Sequence, residues 1–398
     1  MNAHVAAALT EADIVPVAKS LVSKLKERAI QTDSDRMVPQ ENIKLLADSG
    51  LLRILRGKKY GGSELSAKAH VNAVSTIAEG CMATAWCLGV YHAHDYIIGH
   101  MSEQAREEIY AGGLDVAVAA VIGPRGKAVL QDDGSYRLTG FWPFVSGNAA
   151  STWLLLGGEV VDKDGNVVNA GDFAVPIEDV ERLDDWHVAG LQGTGSNSVR
   201  VNDVVVPAHR FVSLPAIIEC QTETWTDPSA PATFKMMGTP ALGLFIVPST
   251  LGAAKQTMEE FKRVVPGKAV QYTDHISHEW SAIQIALGEA AAMIHAAELV
   301  LHKIADDIDH WAQKGEKMPM ETRARIRMDI CMVPRLCRDA VTKLYTVGGA
   351  AGLSLKSPIQ LNARNLQAAN MHGLLLYDAG AEIYGRVLLG VDPGTALL

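Results

Sequence analysis

The sequence predicts an α+β chain in three successive parts: an N-terminal helical part, a central antiparallel β unit and a C-terminal four-helix bundle. Three observations carry this. Ile283, Leu287, Ala290, Ile294, Ala297, Leu301, Ile304, Ile308 and Trp311 alternate spacings of four and three, a sustained seam between packed helices. Between residues 116 and 206, short apolar runs alternate with Asp-Asp-Gly and Lys-Asp-Gly-Asn turns. Nothing in the chain alternates strand, helix, strand, which disfavours a Rossmann domain. The expected divisions are 1–115, 116–220 and 221–398.

In order, residues 11–56 read as helices. Val38-Pro39-Gln40-Glu41-Asn42 is a helix start, with proline near the first turn. Ile43, Leu46 and Ala47 then make one apolar face, and Ser49-Gly50 ends the helix. Residues 66–99 are helical again, with Ala78, Gly80, Ala83 and Ala85 small enough for close packing, and 102–111 adds a short helix. Strands are expected at 116–122, 127–130, 136–140, 152–157, 172–176, 184–187 and 198–206. Residues 214–240, carrying Pro, Thr and Ser, read as a connecting loop. Two further helices are expected near 321–347 and 374–388, with Pro334 kinking the first.

A chain of 398 residues with 48% hydrophobic and 20% charged residues is long enough for two or three sub-domains sharing a core. A net charge of −9 with no basic run argues against nucleic acid as the main partner. The Ala-rich start, residues 1–10, lacks the basic region and long apolar core of a signal peptide. With no continuous run of about 18 apolar residues, no membrane span is expected, and the location expected is the cytoplasm. Cys81, Cys87, Cys220, Cys331 and Cys337 form no Cys-x-x-Cys pair, and their odd number fits reduced thiols; no metal site is expected.

Residues 138–147, Leu-Thr-Gly-Phe-Trp-Pro-Phe-Val-Ser-Gly, begin as a strand and end in a small polar turn. Bulky rings offer a face for stacking and the turn lets backbone approach, which suits a flat ligand such as a flavin. Ser146 lacks the Gly-x-Ser-x-Gly elbow of a hydrolase, so its hydroxyl suits a ring nitrogen better. Gly193-Thr194-Gly195-Ser196-Asn197 lacks the third glycine of a dinucleotide fingerprint and precedes a strand. It reads either as a turn whose amides meet a phosphate or ring edge, or as a plain β-turn. His92 and His94 stand two apart and do not share a helix face, so a joint metal site is disfavoured against a structural role. His372 precedes a helix start and is a candidate for proton handling. Trp86 is either core or a ligand-stacking ring, and Arg263 either a solvated charge or a phosphate contact.

Taken together, the order of parts and the motifs resemble the acyl-CoA dehydrogenase fold, and within it the flavin-dependent monooxygenase branch, the oxygenase components of two-component aromatic hydroxylases. The residues that carry the resemblance span the chain. They are Val38-Pro39-x-x-Asn42-Ile43-Lys44-Leu45-Leu46, Tyr60-Gly61-Gly62, Cys81-x-x-Thr84-Ala85-Trp86, Gly190-Leu191-x-Gly193-Thr194-Gly195-Ser196-Asn197 and Val206-Pro207 with Arg210-Phe211. Near the C-terminus they are Gly349-Ala350, Arg364, His372 and Gly385-Arg386-x-x-Leu389-Gly390.

The resemblance implies that reduced FMN or FAD, supplied by a separate flavin reductase by diffusion, reacts with O2 to give a C4a-hydroperoxide. That species passes one oxygen atom to an aromatic or heteroaromatic small molecule, of phenol or indole type. It implies catalytic roles for Ser146 at flavin N5, for His372 beside the flavin and for His94 on the substrate side. It implies cofactor contacts at Trp86, Ile122, Gly123, Phe144, Val145, Ser146, Thr194, Arg263, Gly349 and His372, and a homotetramer with sites shared between chains. Val145 stands where phenol-hydroxylating relatives carry a second serine, and Asn365 and Gln367 where they carry Asp and His. A more apolar pocket is expected from these departures, which admits indole-like substrates. The alternative is an acyl-CoA dehydrogenase, which needs a late catalytic carboxylate; the turn Asn370-Met371-His372-Gly373 has none, and Glu382 reads as a helix-surface residue.

Overall fold

Helices α1 (Ile14–Ser34) and α2 (Gln40–Asp48) open the structure, a computed structural model describing residues 8–398. Residues 1–7, most of the segment on which the absence of a leader was argued, lie outside it. Pro39 is the extended N-cap of α2, and Gly50, at φ +83°, turns the chain after it as only glycine does without strain. Helices α3 (Ala67–Ala78), α4 (Met82–Ile98) and α5 (Glu103–Tyr110) follow; the Ser66 and Ser102 side chains cap α3 and α5. α4 is buried along nearly its whole length and forms the central post of this part. His92 on α4 meets His70 on α3, Nδ1 to Nδ1 at 2.9 Å, while their Nε2 atoms bond the Leu51 and Phe245 carbonyls.

The sheet has seven strands, in the order β5-β6-β2-β1-β3-β4-β7. These are β1 (Val118–Leu130), β2 (Tyr136–Trp142), β3 (Trp153–Val161), β4 (Val167–Pro176), β5 (Glu181–Arg182), β6 (Val199–Val206) and β7 (Phe211–Ser213). It is mixed, not purely antiparallel: β1 and β3 run parallel. The reason is the 143–152 turn, which carries the chain from β2 to the far edge of β1, running the same way. The strands expected at 116–122 and 127–130 are one strand. Its register shifts between Val121 and Gly126, so Pro124 sits in a bulge where no ladder N–H is needed. The strand expected at 184–187 is absent, because Asp185 N and Trp186 N donate to the Asn197 side chain instead of a neighbouring strand.

Trp142 is core, not a stacking surface. It is fully buried, its Nε1 donates to the Gly157 carbonyl at 2.7 Å, and a Cβ at Gly126 or Gly140 would come within 2.3 or 2.5 Å of its ring.

Residues 214–240 are not a plain loop. Ser213 and Thr222 cap the short helices α6 (Leu214–Ile218) and α7 (Glu223–Thr226), and α8 (Gly238–Leu244) follows. The C-terminal bundle is built from α9 (Pro248–Val264), α10 (Ser281–Lys314), α11 (Met320–Val347), α12 (Pro358–Ala369) and α13 (Tyr377–Leu388). The expected seam of α10 is buried from Ile283 to Ile308, with Leu287 and Trp311 at its margin. α10 also has the length and composition of a membrane-crossing helix, a test that apolar bundle helices pass as well. α11 continues across Pro334. α12 was not among the expected helices, although Ser357-Pro358 is an ordinary helix start.

Candidate functional site

Three side chains of α4 reach three other parts of the molecule. The Trp86 ring meets His372 edge to face, centroids 5.8 Å apart. Tyr91 donates from its hydroxyl to the Gly147 carbonyl at 2.8 Å, and Gly147, at φ +75°, leaves room for it: a Cβ there would lie 2.4 Å from the Tyr91 oxygen. His94 places Nδ1 2.5 Å from the Val118 carbonyl at the start of β1. A carbonyl only accepts, so Nδ1 carries the proton and Nε2 presents a lone pair. Burial pushes the His94 imidazole down to about 4, so it is neutral at pH 7. His372 is an exposed residue whose imidazole is pushed down to about 4 by nearby protein and by the Arg327 guanidinium. Its side chain accepts from the Leu374 amide at 3.2 Å.

The turn after β2 is the second half of the site. Phe144 adopts φ +67° and is 64% exposed, a large apolar ring held in a left-handed conformation in the open. Such a conformation costs on the order of 1–2 kcal/mol for a residue with a Cβ. Trp186 stands edge-on to it, centroids 5.9 Å apart. Ser146 Oγ lies 2.7 Å from Ser196 Oγ, Ser196 Oγ lies 2.7 Å from Thr194 Oγ1, and Thr194 Oγ1 donates to the Leu191 carbonyl at 2.8 Å. Thr194 and Ser196 are buried, and Ser146 alone of the three is partly open. Asn148 ties the two loops together, its Nδ2 bonding the carbonyls of Val145, Gly195 and Asn197 at 2.8, 3.3 and 2.9 Å.

Several expectations change here. The Val145 side chain is fully buried in the sheet core, so it does not line a pocket, and the substrate argument drawn from it falls. Thr194 is sealed behind Ser196 and is not a surface contact. In the 193–197 turn the amides of Thr194 and Gly195 are taken by the Leu191 and Gln192 carbonyls. Asn365 is structural, accepting from Leu191 N at 2.7 Å, and Gln367 is exposed. Ile122 and Gly123 lie on the β1 bulge, and a Cβ on Gly123 would meet nothing within 4 Å. Arg263 is a solvent-facing charge, its side chain 69% exposed and paired with Glu260 at 2.5 Å. Gly349, at φ +77°, follows Gly348 of a separate cleft of about 260 Å³ lined by Glu260, Lys268, Gly348, Gly352 and Lys356. Within one chain neither Arg263 nor Gly349 is bonded to the Ser146 turn. Another cleft, between α1, α4, α9 and α12, is lined by Asp33, Gln256 and Asn362 and also lies away from that turn. Sequence reasoning missed Asn148, Trp186 and the role of Ser196; a hydroxyl flanked by glycine and asparagine in a turn was the available signal for the last.

Comparison with known proteins decides the family. Residues 15–113 match the model of the acyl-CoA dehydrogenase N-terminal domain and residues 244–376 that of the C-terminal domain. The chain is 30% identical to the oxygenase subunit HsaA, a flavin-dependent monooxygenase of Rhodococcus jostii, over 94% of this chain and 97% of that one. The chain belongs to the flavin-dependent monooxygenases built on the acyl-CoA dehydrogenase fold. It is also 26% identical to the oxygenase component of p-hydroxyphenylacetate 3-hydroxylase of Acinetobacter baumannii, over 96% of this chain and 90% of that one. The structure of XiaF from Streptomyces sp. in complex with FADH2 and glycerol superposes with a TM-score of 0.91 at 25% identity, covering 98% of each chain.

The residues of this monooxygenase fit a flavin. A partly open hydroxyl, two aromatic rings at the surface and an open glycine bulge match a flat ring system with polar edges. They do not fit acyl-CoA dehydrogenation. The turn before α13 holds no acid, and Glu382, 71% exposed, faces Arg386 at 3.9 Å on the surface.

Proposed function

We propose that this monooxygenase is the oxygenase component of a two-component system acting on an aromatic or heteroaromatic small molecule, of phenol or indole type. The observation that carries the reading is the Ser146 turn: a partly open hydroxyl at the end of a buried hydroxyl chain, beside the strained and exposed ring of Phe144. Reduced FMN or FAD, delivered by a separate reductase, would supply the electrons for O2 activation. The chain's own residues do the rest. Ser146 would hold the ring edge at N5, Phe144 and Trp86 would flank the ring, and Ile122 and Gly123 would approach it through the β1 bulge. His94 and His372 are neutral at pH 7: His94, with Nδ1–H held by the Val118 carbonyl, offers the Nε2 lone pair, and His372, with Nδ1 accepting from the Leu374 amide, offers Nε2–H, so one can take and the other give a proton at the substrate. Walls such as Trp86 exclude water, which otherwise diverts activated oxygen to H2O2.

The same reading keeps the three-part division at 115 and 220, a homotetramer and a cytoplasmic location. Ile285, Leu299, Leu353, Leu355 and Leu389 are each 58–81% exposed, a set of large apolar side chains that suits burial against other copies. In such an assembly Arg263 and Gly349 would serve the flavin of a neighbouring copy.

The test is direct. Protein mixed with chemically reduced flavin, then with air and a panel of phenols, indoles and thiophenes, should oxygenate at least one class. Bleaching of bound oxidised flavin by an acyl-CoA, with no oxygenated product, would contradict the reading.

A further inference from the structure

Three contacts join Ser146, Ser196, Thr194 and the Leu191 carbonyl, at 2.7, 2.7 and 2.8 Å. At such distances each oxygen pair needs a proton between its members, since two lone pairs facing one another would repel. The three hydroxyls own one proton each, and the carbonyl owns none. The proton on the last contact must therefore be Thr194's. Thr194 then has none left for Ser196, so the middle proton is Ser196's, and the first is Ser146's. All three protons point inward, toward Leu191. The buried end is closed: Thr194 and Ser196 are 1% and 3% exposed, and no other hydrogen bond to either hydroxyl is found among the described residues.

We propose that Ser196 and Thr194 are positioning residues that hold the Ser146 hydroxyl as a hydrogen-bond acceptor toward the ligand, so that the site takes flavin bearing an N5–H and disfavours oxidised flavin. This rests on the placement of flavin N5 at Ser146 proposed above. Reduced flavin carries a proton on N5 and can donate to Ser146. Oxidised flavin has a bare N5 lone pair, which meets the lone pair of Ser146 with no proton between them. The polarity of the chain thus selects the redox state that enters and weakens the hold on the state left at the end of turnover. A lone serine would not discriminate, because its hydroxyl rotates to suit either partner.

The experiment measures the dissociation constants of oxidised and dithionite-reduced FMN and FAD, the latter anaerobically, for wild type, Ser196→Ala, Thr194→Val and Thr194→Ser. Wild type should favour the reduced form. In Ser196→Ala the Ser146 proton loses its inward acceptor and can turn outward to a bare N5. In Thr194→Val the direction of the chain is no longer fixed. Both should cut the preference for reduced flavin by about five-fold or more, chiefly by tightening the oxidised form. Thr194→Ser keeps the hydroxyl and should keep the preference. A merely structural role would weaken both redox forms together; an unchanged ratio in folded Ser196→Ala and Thr194→Val would overturn the proposal while leaving the flavin site standing. Wild-type protein that binds neither form would overturn the flavin reading as well.

Discussion

Phe144 shows how a single residue reports on function. A left-handed φ and 64% exposure are both unfavourable for a phenylalanine, and its one ring partner among the described residues, Trp186, touches it only edge-on. Among the described residues no packing contact offsets that strain, which supports the proposed place of the ring against the flavin. Phe144→Gly relaxes the backbone and removes the ring. Its melting temperature should stay within a few degrees of wild type, while affinity for reduced flavin falls about 3- to 10-fold, the worth of one aromatic contact. A large loss of stability with flavin affinity intact would return Phe144 to a structural role. Val145, its neighbour, carries the opposite lesson. From the sequence it looked like a wall of the pocket, yet its side chain is fully buried in the sheet core.

At the scale of elements, the site depends on two loops tied together by polar contacts. Asn148 serves three carbonyls with one amide group, and the bonds to Val145 and Gly195 are buried where water does not compensate. Asn148→Ala should lower unfolding free energy by about 2–3 kcal/mol in chemical denaturation and loosen Ser146 as well. A change below about 0.5 kcal/mol would mean that the loops hold themselves. This contact illustrates what was legible in the sequence and what was not. The α10 seam, the stop at Ser49-Gly50 and most strands follow local periodicity or turn chemistry, and they stand where the residues put them. The continuity of β1 across Gly123-Pro124, its parallel pairing with β3 and the absence of a strand at 184–187 depend on residues far apart in the chain. So does the hydroxyl chain, since Ser146 and Ser196 are fifty residues apart. The short helices α6 and α7 were legible in principle, from Ser213 and Thr222 as caps.

For the whole molecule, the buried histidines set the response to pH. Burial pushes His92 and His94 down to about 4 and His100 to about 3; His70 is also pushed down, by burial and by His92. In the unfolded chain such groups take up protons near 6.5, so between about 6.5 and 4 the unfolded state binds more protons than the folded one. Their contribution is present above pH 6.5 and is lost as pH falls toward 4. Glu79, Asp95, Asp172 and Asp329, raised by burial, and Asp309, pushed up to about 6 by burial, work in the opposite direction, but with His302 and His372 also pushed down the lowered histidines number six against five. The melting temperature should therefore fall steadily from pH 6.5 to pH 4.5. A rise over that range would mean that the carboxyls dominate.

Oxygen transfer by this chain with flavin as its only cofactor is the central proposal. A single turnover of purified protein with chemically reduced flavin, ¹⁸O2 and an accepted aromatic substrate measures it directly. The product should gain one ¹⁸O atom, with the second oxygen leaving as water. A product without the label, or H2O2 formed in full stoichiometry with every aromatic offered, would contradict it.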